Sequence, residues 1–344
     1  MPSKKIKEPI AVVSVKHKDK RANIPTKELR GFVEEDEAKP KSILYPRDPS
    51  LDPLGELLPL AHAAGLEVHA WMNCALVWSG PAPPRDPRHV IRAHPEWVVR
   101  LPGGRSMALM REAERRRLKL EGVFLNPAHP EARTWIANVA REIAIRYPVD
   151  GIHLDYIRQP GISLASDPAS RVGFALEHGV DPQRLARLPG PQRASMDSAW
   201  VAWQARQVTA VVQEVRDSLA AVRPGLRLSA AVLADPEAER HNAQAWRAWV
   251  RDGLIDRAFV MCYAPSVQTV LQQMVQAAGT LGTQGRVVPG IAVFNSTPAA
   301  AVAKICAAAE LGFHTLALYS YDSLFDHAGY WPELRSCLGL PPGP

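Results

Sequence analysis

Val149-Asp150-Gly151-Ile152-His153-Leu154-Asp155-Tyr156-Ile157-Arg158-Gln159-Pro160 decides the fold of this chain. An apolar run this short, bounded by a glycine and a proline, has the length of a buried strand rather than of a helix. Side chains alternate across a strand, so Gly151, His153 and Asp155 share one face while Ile152, Leu154 and Tyr156 share the other. A carboxylate therefore points where an imidazole points. The bland reading of Asp155 is a helix cap or a partner for Arg158. An acid at the C-terminal end of a parallel strand, however, sits where α/β sheets place their chemistry.

A second segment has the same design. In Leu66-Glu67-Val68-His69-Ala70-Trp71-Met72-Asn73, one face presents His69, Trp71 and Asn73, and the other Val68, Ala70 and Met72. Two neighbouring strands of this kind send imidazoles, an indole, an amide and a carboxylate into one space. A single buried histidine is more often a satisfied core residue, but two on adjacent faces beside an acid favour a site.

Outward from these strands, short apolar runs alternate with helical patterns, the signature of parallel βα units. The expected strands are Glu67–Met72, Gly151–Asp155, Arg227–Leu233, Arg257–Tyr263, Arg286–Val293 and Thr315–Tyr321. Helices are expected over Pro130–Tyr147, Ser195–Val222, Asn242–Asp252, Val267–Leu281 and Pro298–Leu311, with Gly225, Gly253 and Gly312 as stops. The fold class is α/β, a (β/α)8 TIM-type barrel, incomplete or irregular at its first two strands because only six strands are accounted for. Its 344 residues and 47% apolar content suffice, since roughly 250 residues build such a barrel. The long segment after the His69 strand, with Trp78, His94 and Trp97, and the excursion Asp167–Gly190 are candidate cleft walls.

The missing strands belong at the N-terminus, where the composition changes. Nine of the eleven lysines but two of the thirty arginines fall within residues 1–41. That segment holds eleven basic and seven acidic residues, a difference of +4 within the net charge of +6. The chain thus divides into a basic arm, residues 1–50, and a barrel, residues 51–344. Without aromatic interleaving or a reading motif the arm is read as a solvated tail, and nucleic acid is not an expected partner. Ile10–Val15 could replace a lost barrel strand, and Ser42–Tyr45 could do so less well. If neither inserts, Glu67–Met72 becomes an exposed edge.

Two resemblances extend this reading. Asp52-Pro53-Leu54, Ala61-His62 through Gly65 to Asn73, Leu125-Asn126-Pro127 and Val149–Pro160 together resemble the family 10 glycosyl-hydrolase-like proteins. Weaker matches run through Arg223-Pro224, Leu228-Ser229, Asp256–Tyr263 and Thr315–Asp322, so the likeness covers about residues 51–325. Separately, Lys16–Arg30 with Tyr45–Pro53 resembles the leader of adenine-specific DNA methyltransferases, although no methyltransferase body follows. The first resemblance implies a barrel hydrolase acting on a polysaccharide or peptidoglycan-like glycan.

Glycoside hydrolysis generally uses two carboxyl groups flanking the scissile bond. Asp155 is the first candidate. The second is sought at other strand ends, in Asp235, Glu237 or Asp322, with Asp235 narrowly preferred although Asp235-Pro236-Glu237 also reads as a helix start. Asp256 opens its strand and falls on the stability face. Substrate binding is assigned to His69, Asn73 and His153 as hydrogen-bond partners, Trp71 and Tyr263 as stacking platforms, and Tyr156 and Arg158 beside the acid. The alternative is a catalytically inactive, carbohydrate-binding barrel remnant.

No cofactor or metal is expected: Cys74, Cys262, Cys306 and Cys337 form no Cys-x-x-Cys pair and read as reduced thiols. The first thirty residues hold no apolar signal core, and no stretch reaches the eighteen apolar residues of a membrane span. Location is cytoplasmic by default, whereas members of the resembled family are often exported.

Overall fold

The computed structural model describes residues 10–13, 52–161, 166–279, 281–282, 285–313, 315–320 and 332–333. From the N-terminus, β1 (Ile10–Val13) and α1 (Pro53–Ala63) lead to β2 (Glu67–Asn73). A long excursion follows, in which β3 (Leu76–Trp78) pairs antiparallel with β4 (Val123–Phe124) around the short helices α2 (Val90–Ala93) and α3 (Glu112–Arg117). The chain continues through α4 (Pro130–Arg146) and β5 (Gly151–Asp155), then a second excursion holding α5 (Pro168–His178), to the long helix α6 (Gly190–Val222) and β6 (Arg227–Leu233). Next come α7 (Pro236–His241), α8 (Trp246–Arg251), β7 (Arg257–Cys262), α9 (Val267–Ala278), β8 (Val287–Ala292), α10 (Pro298–Glu310) and β9 (Ala317–Tyr319).

Seven of these strands form one parallel sheet in the order β1-β2-β5-β6-β7-β8-β9. Its two ends, β1 and β9, approach within 8 Å between Cα atoms without hydrogen bonding to each other. Among the described residues the architecture is an incomplete (β/α)8 barrel. All six expected strands are present, and Ile10–Val13 inserts as the seventh, pairing from Ile10↔Glu67 to Val13↔Ala70. The edge expected on Glu67–Met72 is therefore covered over its first half. Ser42–Tyr45 and most of residues 1–50 lie outside the described residues, as do the methyltransferase-like pieces other than Asp52 and Pro53.

The outer faces of the strands pack on the helices exactly where alternation puts apolar side chains: Val68, Ile152, Leu154, Leu228, Ala230 and Val260 are all fully buried. Trp246 and Trp249 of α8 are also buried, and each indole finds an acceptor, Trp246 on the Leu233 carbonyl at 3.1 Å and Trp249 on the Thr209 hydroxyl at 2.8 Å. At the N-terminal rim the same device appears twice. The residue before β5, Asp150, accepts the Val68 N–H at 2.7 Å, and the residue before β7, Asp256, accepts the Leu228 N–H at 2.7 Å. Asp256 thus closes a strand start, as its position implies.

The inner faces are unusual in polarity. His153 stands edge-on to Trp71 at 5.7 Å and to Phe259 at 5.0 Å, and its Nδ1 is 2.9 Å from the Ser229 hydroxyl. Burial pushes its pKa down to about 3, with the neighbouring His69 opposing charge in the same sense. His69, itself 1% exposed, is also lowered by burial, against the pull of Glu67. Both imidazoles are neutral near pH 7. His69 fits because its register neighbour is a glycine: a Cβ on Gly151 would lie 2.4 Å from His69 Nδ1 and 2.9 Å from the Arg227 carbonyl.

Of the cysteines, Cys74 and Cys262 are buried free thiols, but Cys306 is disulfide-bonded. The expectation of four reduced thiols fails there because separation along the chain does not measure separation in the fold.

Two outcomes follow from the lumen. Gly151→Ala is expected to lower stability by about 1–3 kcal/mol, read as a shift in the urea midpoint at unchanged slope. Because the folded protein keeps His153 and His69 neutral while the unfolded chain protonates them, stability falls as pH drops below about 6.5, by up to about 1.4 kcal/mol per pH unit for each histidine. Urea titrations from pH 7 to pH 4 check this, and His153→Gln should flatten the decline.

Candidate active site

Asp155 is the last residue of β5 and is 7% exposed. Its carbonyl accepts the Cys74 N–H at 2.8 Å, so the β2–β5 ladder runs to the very end of the strand. The carboxylate Oδ1 accepts the N–H of Tyr156 at 2.6 Å. Tyr156 has φ +49, a left-handed conformation that costs a non-glycine residue of order 1–3 kcal/mol. Its carbonyl is held in turn by the Ala75 N–H at 3.2 Å. The chain is thus bent sharply just after the acid, with the acid's own oxygen fastening the bend.

The lumen beside Asp155 is walled by rings. Trp71 of β2 contacts Tyr319 of β9 at 5.7 Å across the sheet's open side, and Tyr319 stacks on Tyr263 at 5.5 Å and 13°. Burial, followed by the charge of Asp155, drives the Tyr263 phenol far above its ordinary pKa, so its hydroxyl stays protonated. Among the residues singled out in the sequence, His69, Trp71, His153, Asp155 and Tyr263 are therefore brought together. Asn73, level with Asp155 in the β2–β5 register, is exposed at the strand end.

Tyr156 and Arg158 follow the end of β5, with the Tyr156 phenol still within electrostatic reach of Asp155 and Tyr319. The Tyr156 ring packs between Phe124 at 6.1 Å and the Arg158 guanidinium at 4.7 Å, and Arg158 donates to Glu121 Oε2 at 2.6 Å. Asp235 is the N-cap of α7, its Oδ1 accepting the Ala238 N–H at 2.8 Å. Asp322 lies outside the described residues. Trp78 and Trp97 do not line a cleft: both are buried, with their indoles donating to the Ala82 carbonyl and to Glu131. His94 stacks on Trp97 at 3.7 Å. Trp78 and Trp97 join the β2–α4 excursion to the main hydrophobic core of the barrel.

Tyr319, Phe259, Ser229 and Phe294 are the lumen and rim residues that sequence reasoning passed over. Period-two alternation, continued along β7 and β9, carries the signal for the first two: Phe259 and Tyr263 share a face, as do Ala317 and Tyr319.

Several known proteins share this architecture. The glycoside hydrolase domain of PgaB (BpsB) from Bordetella bronchiseptica is similar over 85% of this chain and 81% of that one, with a TM-score of 0.64 at 17% identity. The α-L-fucosidase isoenzyme 2 of Paenibacillus thiaminolyticus follows at a TM-score of 0.57 and 15% identity, over 85% of this chain and 40% of that one. In sequence, glycosyl hydrolase DigH of Escherichia coli (strain K12) is 24% identical over 63% of this chain and 47% of its own, so this chain spans about half the length of that relative. Residues 33–293 match the family described as Glycosyl hydrolase-like 10, and the chain belongs to that family.

Proposed function

We propose that the protein is a glycoside hydrolase that cleaves a polysaccharide or peptidoglycan-like glycan by carboxylate acid/base chemistry, with Asp155 as one of the two acting carboxyl groups. The observation that carries this reading is a nearly buried acid at the C-terminal end of a barrel strand, facing a lumen walled by Trp71, Tyr263 and Tyr319. Aromatic faces suit the C–H surfaces of sugar rings, while a protonated Tyr263 and the His153–Ser229 pair offer hydroxyl and imidazole partners to sugar oxygens. Names of relatives and structural neighbours point the same way. On sequence position Asp235 and Asp322 are the candidates for the second carboxyl group. The separation between it and Asp155 would decide retention or inversion, about 5.5 Å for the first and about 6.5–9.5 Å for the second.

Release of reducing ends from a panel of glycans, including denuded peptidoglycan strands, tests the proposal. Asp155→Asn at matched folded concentration is expected to lose roughly a thousandfold in kcat, equivalent to about 4 kcal/mol of transition-state stabilisation. Activity in neither protein, together with retained glycan binding, would replace this reading with that of an inactive binding barrel.

Asp235→Asn isolates chemistry from capping, because asparagine caps a helix about as well as aspartate. An Asp235→Asn protein with an unchanged melting temperature and kcat lowered by about a hundredfold or more would assign it the second carboxyl role. Full activity in that variant would transfer the role to Asp322, with Asp322→Asn as the matching measurement.

A further inference from the structure

Phe294 is a large apolar side chain held in the open, 54% exposed, two residues beyond β8 on the rim that also carries Tyr263 and Tyr319. Its ring stands nearly perpendicular to both of theirs, at 6.2 Å and 85° from Tyr263 and at 5.9 Å and 89° from Tyr319. The wall that begins with Trp71 and Tyr319 in the lumen thus continues outward to Phe294 without a break.

The loop that presents this ring is pinned on every side. The Val293 N–H donates to the Tyr319 carbonyl at 2.8 Å, Asn295 Nδ2 to the Tyr263 carbonyl at 2.9 Å, and the Ser296 hydroxyl to the Ala292 carbonyl at 3.4 Å. Beneath it Lys304 of α10, fully buried, donates from Nζ to the Ser296 hydroxyl at 2.6 Å and to the Ala264 carbonyl at 2.9 Å. Both acceptors are neutral. Burying an ammonium against neutral oxygens is costly, and the result here is a cross-brace between the loop after β7, which carries Tyr263, and the loop after β8, which carries Phe294. A rigidly held, half-exposed ring loses little conformational entropy on binding, which is what an apolar platform needs.

We propose that Phe294 is a specificity-determining residue, the platform for a sugar ring of the glycan adjacent to the one positioned over Asp155, and that Lys304 is the positioning residue that holds it there. The inference rests on the glycosidase reading and adds to it a requirement for chain length. A disaccharide reaches the lumen, whereas a longer glycan also covers Phe294.

The experiment compares kcat/KM on glycan fragments of graded length, with denuded peptidoglycan fragments and chitin oligosaccharides as probes, for the intact protein, Phe294→Ala, Phe294→Trp and Lys304→Met. The long-to-short ratio of kcat/KM is expected to fall about tenfold in Phe294→Ala, with KM rather than kcat carrying the change, and to recover in Phe294→Trp. Lys304→Met, checked for folding by its melting temperature, should lower the same ratio; a folded Lys304→Met protein with the ratio intact overturns the bracing role. A ratio unchanged in Phe294→Ala, or a loss that tryptophan does not restore, overturns the platform. Asp155→Asn separates the two levels. If it abolishes cleavage while the Phe294 variants keep the ratio, the platform alone falls, and if the intact protein neither cleaves nor binds any probe, the glycosidase reading falls and the platform with it.

Discussion

The parallel pairing of β2 with β5 is the constraint on which the rest of the site depends. Its register sets His69 against Gly151, Trp71 against His153 and Asn73 against Asp155. Because side chains repeat every two residues, a slip of one position would turn His153 and Asp155 into the helix layer and Ile152 and Leu154 into the lumen. Such a slip would bury a carboxylate among Val208, Val211 and their neighbours, and the cost of that burial locks the register as firmly as the hydrogen bonds do. The ladder's extension past both strands, through Cys74 to Asp155 and Ala75 to Tyr156, then carries the lock to the end of the strand that bears Asp155.

A lumen of this kind trades stability for chemistry at identifiable places. His69 has neither ring nitrogen in a hydrogen bond, and it is accommodated only by the missing side chain of Gly151. Tyr156 takes up a left-handed backbone that most residues avoid, and Lys304 gives up the solvation of its ammonium. These costs are only partly met locally, by the Glu67 carboxylate 3.6 Å from His69 Nε2, by the Asp155 oxygen on the Tyr156 N–H and by the two hydrogen bonds of Lys304. The rest is offset on the outer faces, where the strands and the helices around them bury a continuous apolar layer, and where the two tryptophans of α8 fill the space beneath β6 and β7 with their indole N–H groups satisfied.

Much of this was legible in the sequence because alternation and helical periodicity are strong where a strand is buried on one side by helices. Gly151–Asp155 and Arg227–Leu233 appear with the expected bounds, and the His69 and His153 faces meet as their spacing requires. What was less legible has physical causes. Trp78 and Trp97 carry the composition of a cleft, but the excursion between β2 and α4 packs into the main core, and a tryptophan with a nearby acceptor is well suited to be buried there. Phe294 sits on a loop, where no periodicity marks direction. Its place beside Tyr263 and Tyr319 is visible only once pairing sets β7, β8 and β9 side by side.

The protonation states around Asp155 follow from the same geometry. Burial raises Tyr263 and lowers His153, so each is held in its neutral form, one as a hydroxyl donor and the other as a fixed dipole on Ser229. Neither changes charge between about pH 4 and pH 9, since the shifts carry one below and the other above that range. A general base working in that interval must titrate within it or stay charged through it, and Tyr263 and His153 do neither. Any change of rate with pH across the interval, short of unfolding, therefore reports on groups other than these two. Under the proposed glycosidase reading, the rings and imidazoles would orient the sugar and proton transfer would fall to the acids.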